Sequence, residues 1–62
     1  MKGYYFVIEK SEKNALTFAY IYRTGESHLT TPPVKEFHSI RNDARRRMAK
    51  RAFKWIDERA DN

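Results

Sequence analysis

RNDARRRMAKRAFKW, from Arg41 to Trp55, carries both the apolar seam that closes the fold and most of the charge. Arg41, Arg45, Arg46, Arg47, Lys50, Arg51 and Lys54 face only Asp43 there, a local excess larger than the +5 of the entire chain. Wound into a helix at about 100° per residue, with Ile40 at zero, Ala44, Trp55, Met48, Ala52 and Ile56 fall between roughly 40° and 160°. Arg46, Lys50, Lys54, Arg47 and Arg51 sweep the other side, from roughly 240° to 20°. The stretch is rich in Ala, Arg, Lys and Met and has no Gly or Pro, so local propensity agrees with the periodicity. One rod with an oily face and a cationic back is the expectation.

Working outward, Tyr4 to Lys10 (YYFVIEK) and Leu16 to Arg23 (LTFAYIYR) are β-branched and aromatic, which suits strands. A three-residue loop of Glu12, Lys13 and Asn14 would pair Ile8 with Phe18 and Phe6 with Tyr20. Tyr4, Phe6, Ile8, Leu16, Phe18, Tyr20 and Tyr22 then share the face under the helix, and Tyr5, Val7, Glu9, Thr17, Ala19, Ile21 and Arg23 share the other. This register is expected because it segregates the bulky rings, and a slip of one residue inverts every side chain. Thr24-Gly25 supplies a turn, since Gly takes a positive φ. Ser27 to Thr31 reads as a short third strand with Leu29 toward the core, halted by Pro32-Pro33. Val34 to His38 is ambiguous: it reads as a short helical turn before a new helix capped by Ser39 or Asn42, or as the start of one long helix from about Pro33, with Val34 and Phe37 continuing the apolar seam.

The fold class expected is therefore α+β: a two-layer ββ(β)α domain, with an antiparallel sheet of two or three strands against one long C-terminal helix. It comprises a single small domain over 1–62, with a hairpin or meander in 1–31 and the main helix in 39–60. At this length a lone core buries only about 60% of the unfolded surface, so a homodimer interface would add useful burial.

The apolar run Tyr4 to Ile8 is too short for a signal-peptide core or a membrane span, and there is no cysteine. A soluble, cytoplasmic protein is the expectation. Its basic excess favours polyanions, nucleic acid first. Arg45, Arg46, Arg47, Lys50, Arg51 and Lys54 are the candidate phosphate contacts, against the ordinary alternative of a solvated helix face. Arg41 and Arg45 project from the apolar side and should reach solvent beyond the sheet. Phe53, at the edge of the apolar arc, joins Tyr5, Val7 and Ile21 as a candidate partner or dimer surface. The competing function is that of a modulator docking on an acidic protein surface, with Phe53 and Tyr5 beside the cationic ridge.

His28 and His38 have no third ligand at motif spacing, and no nucleophile is set beside a base. Gly3 and Gly25 cannot make a phosphate loop. A non-enzyme without cofactor or metal is expected, and the sequence contains no family signature.

Overall fold

The computed structural model describes residues 3–13, 16–39 and 45–59. Three strands, β1 (Tyr4–Lys10), β2 (Thr17–Arg23) and β3 (Lys35–His38), precede one helix, α1 (Arg45–Arg59). The sheet is antiparallel in the order β1-β2-β3, and α1 packs on one of its faces. This is the expected two-layer α+β architecture.

The register differs by one residue from the expected one. Phe6 lies opposite Ile21, Val7 opposite Tyr20 and Ile8 opposite Ala19. The Ser11 N–H donates to the Leu16 carbonyl at 2.8 Å, which leaves four residues, 12–15, in the connection rather than three. Because strand side chains alternate, the faces regroup. Tyr4, Phe6, Ile8, Thr17, Ala19 and Ile21 turn toward α1; Tyr5, Val7, Glu9, Phe18, Tyr20 and Tyr22 turn away.

Two physical demands select this arrangement over the segregated one. First, β2 is the central strand, and residues directly beneath a helix must let it approach: Ala19 on β2 and Ala52 on α1 are both completely buried. Phe18 and Tyr20 in that place would overfill the layer. Second, a tyrosine hydroxyl needs a polar partner, which the wet face supplies and a core of Met48, Ile21 and Ile56 does not. The core accordingly consists of Ile21, Met48, Ala52 and Ile56, with Tyr4, Phe6, Phe37 and Trp55 half-buried around it. The helix seam read from the sequence is correct at Met48, Ala52, Trp55 and Ile56. Ile21, expected on the outer partner surface, is instead a centre of the core.

The third strand also lies elsewhere. Ser27 to Thr31 forms a turn in which the N–H groups of Thr30 and Thr31 point to the Ser27 carbonyl, and Leu29 is 81% exposed rather than in the core. Residues 35–38 are strand, not helical turn. Pro32-Pro33 biases the chain into extended conformation, and the Val34 N–H then reaches the Ile21 carbonyl at 2.8 Å. The Ser39 N–H closes the ladder on the Thr17 carbonyl at 2.9 Å. Ser39, one of the expected caps, ties β3 to β2: its Oγ is buried and accepts the Thr17 N–H at 3.0 Å. Asn42, the other expected cap, Asn14, expected in the hairpin loop, and Arg41 and Ala44, expected on the apolar side of the helix, lie outside the described residues. The turn at Thr24-Gly25 is as expected, with Gly25 at φ 95° and the Glu26 N–H donating to the Arg23 carbonyl.

Candidate nucleic-acid interface

The helix presents Arg45, Arg46, Arg47, Lys50, Arg51 and Lys54, all exposed; Arg45 lies in line with the Met48–Ala52–Ile56 stripe at the N-terminal end of α1 and reaches solvent there, as expected, and the other five lie away from the stripe or at its margins. Strand alternation sends Lys10, Arg23 and Lys35 to the same side of the sheet as α1. Arg23, expected on the outer face, thus joins the cationic side, its guanidinium 5.3 Å from the centroid of the Tyr4 ring. The described outer positions of the strands carry Glu9, Glu36 and His38 and no Lys or Arg. The sheet is thereby polarised, its strand cations turned toward α1 and its described acids turned away, while α1 itself carries seven Lys and Arg against Asp57 and Glu58 near its C-terminal end.

The six helix cations do not form one ridge. Arg46, Arg47 and Lys50 stand on the back of α1. Arg45 lies at its N-terminal end and helps line a depression of about 390 Å³ with Ile8, Glu9, Lys10, Ser11, Phe18 and Tyr20. Arg51 and Lys54 line a groove of about 370 Å³ between α1 and β3, together with Phe37, Trp55 and Glu58. There the Arg51 guanidinium sits 4.8 Å from the Phe37 centroid and its Nη1 is 3.8 Å from Met48 Sδ. Lys35 Nζ approaches the same Phe37 ring at 5.4 Å. Arg59 stacks over Trp55 at 4.0 Å and donates to the Trp55 carbonyl at 3.2 Å. Among the described residues an ion pair joins Arg59 to Glu58 at 3.7 Å.

Phe37, Lys35 and Arg59 escaped the sequence reading. Arg59 follows Trp55 by four residues, the spacing at which helix side chains meet, so that contact was available. Phe37 is not legible in that way, because its segment reads as a helical turn while the structure makes it strand.

The outer face holds its own ring system. Tyr5 and Tyr22 stack at 5.4 Å and Phe18 and Tyr20 at 6.0 Å, while His38 leans on Phe18 at 5.6 Å. His28 folds back from the 24–31 loop onto Tyr5 and Tyr22, and the Tyr5 hydroxyl donates to the Glu26 carbonyl. This loop covers Tyr22, which is only 7% exposed. The Tyr20 and Tyr22 phenols are raised above the ordinary value of 10.0, by burial first and then by the Glu9 carboxylate, with Glu36 adding to both. Tyr5 and Phe53, expected to flank the cations together, lie on opposite layers: Phe53 is 45% exposed on α1 and meets the edge of Phe6 at 5.1 Å.

Among the described residues no group of three or more His, Asp or Glu side chains is placed to hold a metal ion, and no helix is long and apolar enough to cross a membrane. Comparisons with protein-family models, curated proteins and solved structures gave no match.

Proposed function

We propose that this is a small, non-catalytic, basic accessory protein of the cytoplasm that binds nucleic acid through phosphate contacts from Arg45, Arg46, Arg47, Lys50, Arg51 and Lys54. The observation that supports it is the sorting of charge between the layers: Lys10, Arg23 and Lys35 reinforce the helix cations, and the described acids of the sheet, Glu9 and Glu36, point the other way. A polyanion approaching the helix side meets a coherent positive field. Selectivity for duplex sequence is weak, because among the described residues no set of side chains is arranged to read base edges in a duplex groove.

Anisotropy titrations of labelled duplex DNA, single-stranded DNA and RNA test the proposal. With about four phosphates neutralised, log K falls against log salt with a slope of about −3.6 on duplex and about −2.8 on single strands. Absence of binding to all three at low salt would remove it.

The competing reading, a modulator docking on an acidic surface of a partner protein, draws on the exposed Phe53 ring beside the helix cations. Pull-downs with and without nuclease separate the two, since only a protein partner survives digestion of nucleic acid. Self-association through the outer sheet face, with Tyr5 and Val7, accompanies the main proposal. Sedimentation equilibrium showing only monomer at high micromolar concentration would dismiss it.

A further inference from the structure

We infer that the groove between β3 and α1 seats an unstacked base of a single-stranded nucleic acid, with Phe37 and Trp55 as aromatic walls and Arg51 and Lys54 for the adjoining phosphates. This rests on the reading above and narrows its ligand. The groove, about 370 Å³, falls within the size range of small-ligand sites. A duplex keeps its bases stacked inside, so rings set among cations add little to its binding. A single strand uses both, its bases on the rings and its backbone on the charges.

The groove is where the two features coincide. Lys35 and Arg51 sit over Phe37, and Arg59 sits over Trp55, so both rings lie within reach of cations. The outer sheet face has more rings, but Glu9 and Glu36 stand among them and would repel phosphate. The depression beside Arg45 has Glu9 in its lining as well. Arg51 must leave the Phe37 ring to admit a base. Cation–π attraction is weak where water reaches the pair, and the same guanidinium gains a phosphate when it swings out. Glu58 is the acceptor on the rim, with Arg59 beside it at 3.7 Å. A carboxylate there suits a base amino group rather than a phosphate.

Trp55 is the only tryptophan in the chain, so its emission reports on the groove. The full chain is titrated at low salt with an end-labelled oligodeoxycytidylate, whose bases carry the amino group Glu58 would accept from, and, separately, with a duplex of equal length, following label anisotropy and Trp55 emission together. The expected result is quenching of Trp55 by the single strand and not by the duplex. Phe37→Leu, which keeps an apolar side chain but removes the π face, should weaken single-strand binding about tenfold and leave duplex binding unchanged. Circular dichroism checks that the variant is folded, and the wild-type quenching stands without it. Single-strand anisotropy with unchanged Trp55 emission would overturn the groove assignment and leave the phosphate reading intact, as would equal quenching by duplex, or a folded Phe37→Leu with wild-type affinity. No binding of either oligonucleotide would overturn both.

Discussion

The sheet has two faces of unlike chemistry, and the one richer in rings is not the core. Toward α1 it offers Ala19, Ile21 and Thr17 on the central strand, all fully buried, with Tyr4, Phe6 and Phe37 at the flanks. Away from α1 it offers Tyr5, Phe18, Tyr20 and Tyr22 with Glu9, Glu36 and His38. Counting aromatic residues would choose the second face. What decides is the thickness available under the helix axis and the polar partners that phenol hydroxyls need, as Tyr5 finds in the Glu26 carbonyl, which together put small and aliphatic residues at the centre of the helix side and most tyrosines on the other.

The sharpest way to break this contrast is to truncate one residue from each face of β2. Ile21→Ala should cost about 2–5 kcal/mol, since it opens a cavity against Ala52 and Ile56. Tyr20→Ala should cost no more than about 1 kcal/mol. Urea denaturation measures both, and equal losses would mean that the register is wrong. Ala19→Val comes next, at about 1–3 kcal/mol of destabilisation through overpacking against α1. Were Ala19 on the outer face, the β-branched residue would be neutral or favourable there, so the sign of the change in melting temperature decides.

Ser39→Ala probes the seam between β2 and β3. It removes the hydroxyl that accepts from the buried Thr17 N–H and should cost about 0.5–1.5 kcal/mol, and Ser39→Thr should recover part of it. If Ser39→Ala were silent, the residue would be free to cap a helix after all.

The smallest effect sharpens the chemistry of the outer face. Tyr20 and Tyr22 have phenols raised above 10.0, so the folded protein holds these protons more tightly than the unfolded chain does. Stability is therefore untouched below the unfolded value and falls as pH rises from it through the folded values. Melting temperatures across the alkaline limb should drop less in the Tyr20→Phe, Tyr22→Phe double variant. An identical drop in the double variant would assign the loss to lysines or other groups.

Much of the architecture was legible in short-range signals. The strands β1 and β2, the Gly25 turn and the amphipathic helix with its Met48, Ala52 and Ile56 stripe all follow from periodicity and local propensity, because each involves residues a few positions apart. The third strand was not legible: Lys35 to His38 has no strong pattern, and it becomes a strand when the edge of β2 offers Ile21 and Thr17 carbonyls to the N–H groups of Val34 and Ser39. Of the candidate site, the exposure of the helix cations was readable. The union of Arg51 and Lys54 with Phe37 was not, since it joins residues whose neighbourhood depends on that strand.

By itself the chain's order of residues settled that Tyr4–Lys10 and Thr17–Arg23 are extended, that Arg45–Arg59 is helical, and that the positive charge gathers on the rod, all consequences of backbone preference and side-chain period. Only the packed structure decided which way the hairpin faces. A shift of one residue leaves each strand equally good in isolation; the choice arises when a helix must lie close upon a small residue and phenol hydroxyls must find polar partners. Those two conditions exist only between elements, so no stretch of the sequence contains them.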